Sequence, residues 1–136
     1  MIVQIDTDIS DHVNFDVLKY KLLTEELIEK VIEKLIEQID SKVSFYEENK
    51  EKIIFAISVH SLECWILPLY KDLKKEKVTG CFEALQIESK SIKVKKDYDT
   101  YDKLTRDFTK NKKLMPIIAK NISFGVFISS LPAEII

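Results

Sequence analysis

The fold is decided by the run Ile53-Ile54-Phe55-Ala56-Ile57-Ser58-Val59, which is short, almost wholly apolar and rich in β-branched residues. Such a run predicts a strand that is covered on both faces of its sheet. A second run, Ile2-Val3-Gln4-Ile5-Asp6, begins the chain and predicts another strand. Between them, Thr24 is the predicted cap of a long amphipathic helix that continues to Ile39. Strand, helix and strand form a βαβ unit, so the two strands are predicted to be parallel with a right-handed crossover.

Two carboxylates, Asp6 and Asp8, stand at the end of the first strand, and side chains two positions apart on a strand project to the same side. Carboxylates about 5 Å apart repel each other by roughly 3 kcal/mol at an effective dielectric constant near 20. A shared proton, a basic neighbour or a divalent cation with oxygen ligands would relieve this repulsion. The pair is thus either a cation site or two ordinary solvated turn residues. A blander alternative is that both aspartates cap a helix.

The segment that follows the second strand carries a third carboxylate. It reads His60-Ser61-Leu62-Glu63-Cys64-Trp65. Because the carboxyl ends of parallel strands lie at one edge of the sheet, where ligands of α/β sheets bind, Glu63 is predicted near Asp6 and Asp8. We expect the three carboxylates within about 10 Å of each other. Trp65 is at helical spacing with apolar neighbours, which favours a core role over a stacking platform.

Composition predicts one soluble domain over residues 1–136, because 46% of the residues are hydrophobic and 32% are charged. No stretch approaches 18 uncharged apolar residues, and no basic segment followed by an apolar one begins the chain. We therefore expect a cytoplasmic protein without a membrane span. Cys64 and Cys81 lack metal-ligand spacing and are expected to be free thiols.

Charge is distributed unevenly along the chain. Residues 1–70 carry 14 acidic and 7 basic side chains, whereas residues 71–136 carry 9 acidic and 14 basic ones. The second half is predicted to be mostly helical from about 79 to 131, with Ser123 capping its last helix. Its cations are either a surface for phosphate groups or solvated lysines on helices. The candidate nucleic-acid contacts are Lys103, Arg106, Lys112 and Lys113.

Four segments of the chain, taken in order, carry a family resemblance. They are the IDTD strand end with Asp11 and Phe15-Asp16 behind it, the long amphipathic crossover, the run IIFAISVHSLECWILPLY, and a tail with Tyr101, Lys103, Lys112-Lys113-Leu114, Lys120-Asn121 and Ser123-Phe124. Together they resemble a group of bacterial Toprim-like proteins, related to topoisomerase–primase and OLD-type nuclease domains. The resemblance covers nearly the whole chain.

This resemblance implies a Toprim-like parallel sheet flanked by helices, with a helical C-terminal part. It implies that Asp6 and Asp8, with Asp11, bind one or two Mg²⁺ or Mn²⁺ ions. Glu63 matches the glutamate of the group's ECW-like motif, as a metal ligand or a residue that orients water. The implied activity is nuclease-like, metal-dependent phosphoryl transfer on nucleic acid.

The chain also departs from the Toprim pattern. The family's first strand, with its own glutamate, has no counterpart, because the sequence starts at the DxD strand. Three explanations are open: a fragment, a misassigned start, or a reduced form whose sheet edge is completed by a second copy or another protein. The departure supports a second hypothesis, that of a degenerate, non-catalytic module that binds a protein partner, for example in phage defence.

Overall fold

The computed structural model describes residues 1–9, 12, 16–17, 22–39, 44–90 and 92–133. Within these residues the protein is mixed α/β, with a two-stranded parallel sheet flanked by helices. Strand β1 is Ile2–Asp6 and strand β2 is Ile54–Ser58. Their register pairs Ile2 with Ile54 and Asp6 with Ser58. The predicted α/β class, with a parallel sheet flanked by helices, is confirmed, and the Toprim-like arrangement stays a prediction.

Helices occupy most of the remaining described residues. They are α1 (Thr24–Ile39), α2 (Ser44–Asn49), α3 (Glu63–Ile66), α4 (Cys81–Glu88), α5 (Tyr98–Thr105), α6 (Asn111–Ile118) and α7 (Ile122–Ser129). Single 3₁₀ turns follow β1, precede β2 and extend α3 and α5, at Thr7–Ile9, Lys50–Lys52, Leu67–Leu69 and Arg106–Thr109 respectively. No helix in the described part of the chain is long and apolar enough to cross a membrane.

Helix α1 forms as the apolar periodicity predicts, and its buried stripe consists of Leu27, Ile28, Val31 and Leu35. Its start differs by one position from the prediction. The backbone carbonyl of Leu23 accepts the first helical hydrogen bond, from the N–H of Leu27, and Thr24 is the first helical residue. The Glu26 carboxylate accepts from the N–H of Leu23 at 3.2 Å, so this glutamate stabilises the helix start.

Most of the buried apolar residues in the described ranges form three clusters, which we call the first, second and third cores. The first core comprises Val17, Leu27, Ile28, Val31, Leu35, Ile57 and Val59. The second core comprises Cys64, Ile66, Leu67, Cys81, Leu85, Val94 and Leu104. The third core comprises Ala56, Trp65, Ile117 and Phe124.

Strand β2 lies between two of these cores, because successive side chains of a strand point to opposite faces. Ile57 packs with α1 in the first core, whereas Ala56 packs with Trp65 and Phe124 in the third core. The prediction that β2 is covered on both faces is confirmed. Trp65 is 4% exposed, so its predicted core role is confirmed too.

One buried hydroxyl, that of Ser123, connects the last helix to the strand end. Its Oγ accepts from Trp65 Nε1 at 2.7 Å and from the Val59 N–H at 3.3 Å, and it donates to Asn121 Oδ1 at 3.0 Å. Asn121 Oδ1 also accepts from the N–H of Phe124 at 2.9 Å, so Asn121 caps α7. The prediction that Ser123 is the cap was wrong, because the hydroxyl is committed to buried donors one position inside the helix.

The two cysteines form a disulfide, so the prediction of free thiols was wrong. Cys64 lies in α3 and Cys81 begins α4, and packing in the second core brings their Cα atoms to 5.1 Å. This separation is within the range that a disulfide spans. Sequence spacing alone carries no information on that packing.

Replacing Ser123 with alanine should lower the free energy of unfolding by about 1–3 kcal/mol, because it leaves the buried Trp65 and Val59 N–H groups without an acceptor. Urea unfolding followed by circular dichroism measures this loss. Ser129→Ala, at an exposed position of the same helix, is the matched control and should stay within about 0.5 kcal/mol of the wild type. Equal stability of the two variants would contradict the assigned role of Ser123.

Candidate functional site

Asp6 is held at the carboxyl end of β1 by two side-chain donors. Its Oδ1 accepts from Gln4 Nε2 at 2.7 Å and from the hydroxyl of Ser58. Gln4 lies two positions earlier on the same face of β1, and Ser58 lies opposite Asp6 in the register. Ser58 is completely buried, so water does not compete with Asp6 for its hydroxyl group. The orientation of Asp6 is thus set by the pairing of the two strands.

Two hydrogen bonds join the segments that follow the two strands. The N–H of His60 donates to Thr7 Oγ1 at 2.7 Å, and the N–H of Asp8 donates to the His60 carbonyl at 3.0 Å. His60 adopts a left-handed conformation with φ of 70°, which is unfavourable for a residue with a Cβ atom. The two hydrogen bonds hold it there, and they place Asp8 beside the end of β2.

Glu63 is the most buried carboxylate of the candidate site, with 3% of its surface exposed. It begins α3, directly after the turn that follows β2. Its Oε1 accepts from the hydroxyl of Tyr101, and its carboxylate also accepts from Ser61. Lys96 Nζ lies 4.0 Å from the same Oε1 and remains largely exposed to solvent.

These contacts decide the charge of Glu63. Burial raises the pKa of the Glu63 carboxyl, whereas hydrogen bonds from Tyr101 and Ser61 lower it. The backbone N–H of Glu63 and the positive charge of Lys96 lower it further, so the pKa lies below its ordinary value. Glu63 is therefore an ionised carboxylate in a nearly closed site.

Tyr101 is a side-chain donor that contacts Glu63. Burial raises the pKa of the Tyr101 hydroxyl, and the hydrogen bond to Glu63 together with the charge of Glu63 raises it further. The negative charge of Asp6 acts in the same direction. The Tyr101 hydroxyl therefore stays protonated and donates to Glu63.

The complete carboxylate cluster stays a prediction. Asp11 lies outside the residues that the structure describes, and Asp8 is exposed next to the strand ends. Across the described ranges, no three His, Cys, Asp or Glu side chains are grouped so that they could hold a metal ion. The structure thus places Asp6 at the end of β1 and Glu63 shortly after the end of the parallel strand β2, without assembling a full set of ligands from the described residues.

Two of the four predicted nucleic-acid contacts are engaged in ion pairs. Arg106 Nη2 lies 3.5 Å from Asp102 Oδ2, and Lys113 pairs with Asp107. Such exposed pairs contribute little to stability and exchange readily with other anions.

The other two predicted contacts line separate surface grooves. Lys103 lines a groove of about 370 Å³, together with Lys93 and Lys95. Lys112 lines a groove of about 270 Å³, whose other cations are Lys113 and Lys120. The predicted basic residues are therefore divided between two places on the surface.

Comparisons with models of protein families, with curated proteins and with solved structures find no match to this chain. The candidate site is consequently judged from its own geometry and chemistry. Its defining contacts are those of Asp6 with Ser58 and of Glu63 with Tyr101.

Sequence reasoning missed the donors that hold the two carboxylates. Ser58 could have been found, because it is the one polar residue in the run 53–59 and the parallel register sets it opposite Asp6. Tyr101 and Lys96 could not, because they reach Glu63 through the packing of α5 and the loop before it. No local pattern of residue spacing predicts that Tyr101 and Lys96 contact Glu63.

Tyr101→Phe should destabilise the protein by about 1.5–3 kcal/mol at pH 7, because it removes a hydrogen bond to a buried charged group. The folded pKa of Glu63 lies below its ordinary value of 4.5, so the stabilisation is complete above that pH and is lost as the pH falls through the folded pKa. The difference between wild type and variant should therefore shrink below about pH 4.5.

Urea unfolding in EDTA between pH 7 and pH 3 measures this difference. Tyr98→Phe is the control, since Tyr98 lies on the same helix and is 82% exposed. A Tyr101→Phe loss that stays constant across this pH range would show that the hydroxyl does not act through the Glu63 carboxylate.

Proposed function

We propose that this chain is a Toprim-like, divalent-metal-dependent phosphoryl-transfer enzyme, nuclease-like, that acts on nucleic acid. The observation that carries the proposal is the placement of Asp6 and Glu63 after two neighbouring parallel strands, with Glu63 buried and accepting a hydrogen bond from Tyr101. Ligands of α/β sheets bind at this edge. Carboxylate oxygens at this edge suit a divalent cation, which in turn can bind a phosphate group.

The proposed ligands suit Mg²⁺ or Mn²⁺ in their chemistry, because they are carboxylate oxygens. Both of these hydrogen bonds of Asp6 are accepted by Oδ1, and neither involves Oδ2. Hydrogen bonds from neighbouring residues to ligating carboxylates are usual in metal sites. Asp6, Asp8 and Asp11 would hold the ion, which would stabilise negative charge developing on the phosphate.

In this proposal the remaining residues bind and orient. Tyr101 and Ser61 hold Glu63 ionised, so that its carboxylate orients an attacking water and accepts its proton. Lys103 and Lys112 contact phosphate groups from the two grooves. Arg106 and Lys113 join them by exchanging Asp102 and Asp107 for phosphate.

A second candidate is a non-catalytic module that binds a protein. It is supported by the donors already in place, since Gln4, Ser58 and Tyr101 stabilise the two carboxylates without a cation. It is also supported by β1, whose Ile2 is 58% exposed and whose one strand partner within the described residues is β2. An open strand edge of this kind pairs readily with another chain.

Metal binding separates the two candidates. If the chain is the enzyme, Mn²⁺ should give a heat of binding in calorimetry and raise the melting temperature, because a ligand of the native state stabilises it by mass action. Asp8→Asn should abolish both effects. Asp99→Asn, the same change at an exposed position of α5, should leave both intact.

The result of the calorimetry also decides what is tested next. Binding that depends on Asp8, followed by cleavage of single- or double-stranded DNA or RNA with loss of cleavage in Glu63→Gln, would support the enzyme. Absence of binding at millimolar Mn²⁺ would contradict it and leave the protein-binding module as the better proposal.

For the module, we expect self-association through the edge of β1 at micromolar concentration, measured by light scattering. Ile2→Lys should shift the protein towards monomer, because a charge on an edge strand disfavours pairing. Leu23→Lys, at a position that is 71% exposed outside the sheet, should have no such effect. A monomeric wild type would contradict self-association.

A further inference from the structure

The disulfide joins a sequence neighbour of Glu63 to a sequence neighbour of Phe82. Cys64 directly follows Glu63, and Cys81 directly precedes Phe82. Lys96 Nζ lies 5.2 Å from the centre of the Phe82 ring and 4.0 Å from Glu63 Oε1. The chain and the disulfide therefore connect Glu63 covalently to Phe82. Lys96 contacts both of these residues.

The second partner of Glu63 depends on the same part of the protein. Tyr101 packs against the second core, one turn of α5 before Leu104, and that core contains both cysteines. The strand β2 and the helix α1 contribute instead to the first core, through Ile57 and Val31. The disulfide thus lies in the second core, against which Tyr101 packs, and outside the first core, which holds the sheet to α1.

We propose that the Cys64–Cys81 disulfide is a redox-controlled positioning element for Glu63. In the oxidised protein it holds α4 and α5 against α3, so that Tyr101 and Lys96 stay on the Glu63 carboxylate. In the reduced protein α4 and α5 loosen and Glu63 loses these partners, while the sheet and α1 remain folded. The proposal concerns the geometry of Glu63 and does not depend on the reaction that Glu63 serves.

The switching step is a thiol–disulfide exchange with a dithiol. A thiolate of the dithiol attacks one of the two sulfurs, the other leaves as a thiolate, and a mixed disulfide forms. The second thiol of the reagent then displaces the remaining cysteine, so the protein gains two thiols and the dithiol becomes a cyclic disulfide. Both cysteines are 1% exposed, so the exchange requires local opening of the protein around them. The start of α4 is the expected place of this opening, because the segment directly before Cys81 is exposed.

Hydrogen exchange measured by mass spectrometry tests the proposal on the full chain, before and after reduction with dithiothreitol. The bridge closes a loop with a sequence separation of 17 residues. Its loss should accelerate amide exchange in residues 98–105 on the order of a hundredfold, the factor associated with a loop of about this length. Exchange in residues 24–39 and 54–58 should stay unchanged.

A bridge that merely stabilises the whole protein would accelerate exchange in residues 24–39 and 98–105 together, and that outcome would overturn the proposal. Unchanged exchange in both segments would overturn it as well. Thiol titration of the unfolded, unreduced protein should find no reactive thiol, and two thiols there would also contradict it.

Cys81→Ser provides the matched variant, because it removes the disulfide and leaves Cys64, the residue next to Glu63, unchanged. It should show the fast exchange of residues 98–105 without reductant and no further response to dithiothreitol. A response to the reductant in this variant would contradict the assignment to the disulfide. If the variant does not fold, the comparison of oxidised and reduced wild type decides the question.

Discussion

The hydrogen bonds of the Ser123 hydroxyl are the constraint on which the rest of the structure depends. One oxygen accepts from the indole of Trp65 and from the backbone of Val59, and it donates to the residue that caps the last helix. These three partners belong to α3, to the end of β2 and to the start of α7. Because Glu63 begins α3, the position of the most buried carboxylate relative to the strands is determined by a serine near the other end of the chain.

The electrostatic problem posed by closely placed carboxylates has a local solution in this protein. Asp6 is stabilised by Gln4 and Ser58, and Glu63 by Tyr101 with a distant contribution from Lys96. Neutral donors can hold a carboxylate ionised, and they do so without cancelling its charge. Glu63 therefore keeps its negative charge although it is almost completely buried.

Much of the βαβ unit was predictable because its signals are local. The apolar, β-branched run in residues 53–59 and the helical spacing in residues 24–39 are each encoded within one element, and the parallel pairing follows from a general rule of chain connection. The rule also places Glu63 near the strand ends. Tyr101, Lys96 and the disulfide were missed because they meet Glu63 only after α4 and α5 have packed. The cap of α7 was misassigned because both Asn121 and Ser123 suit that position, and tertiary contacts chose between them.

The register of β1 and β2 has a consequence for how the chain acquires its fold. Asp6 and Ser58 are 52 residues apart in sequence, and the second face of β2 is covered by Phe124 from the last helix. Strand β1 is thus synthesised before its partner β2, and β2 is synthesised before the helix that covers its second face. Non-local pairing of this kind slows folding, because chain entropy is lost before the contacts that compensate for it form. During translation, the apolar residues of β2 are an exposed segment that a chaperone can recognise until α7 has left the ribosome.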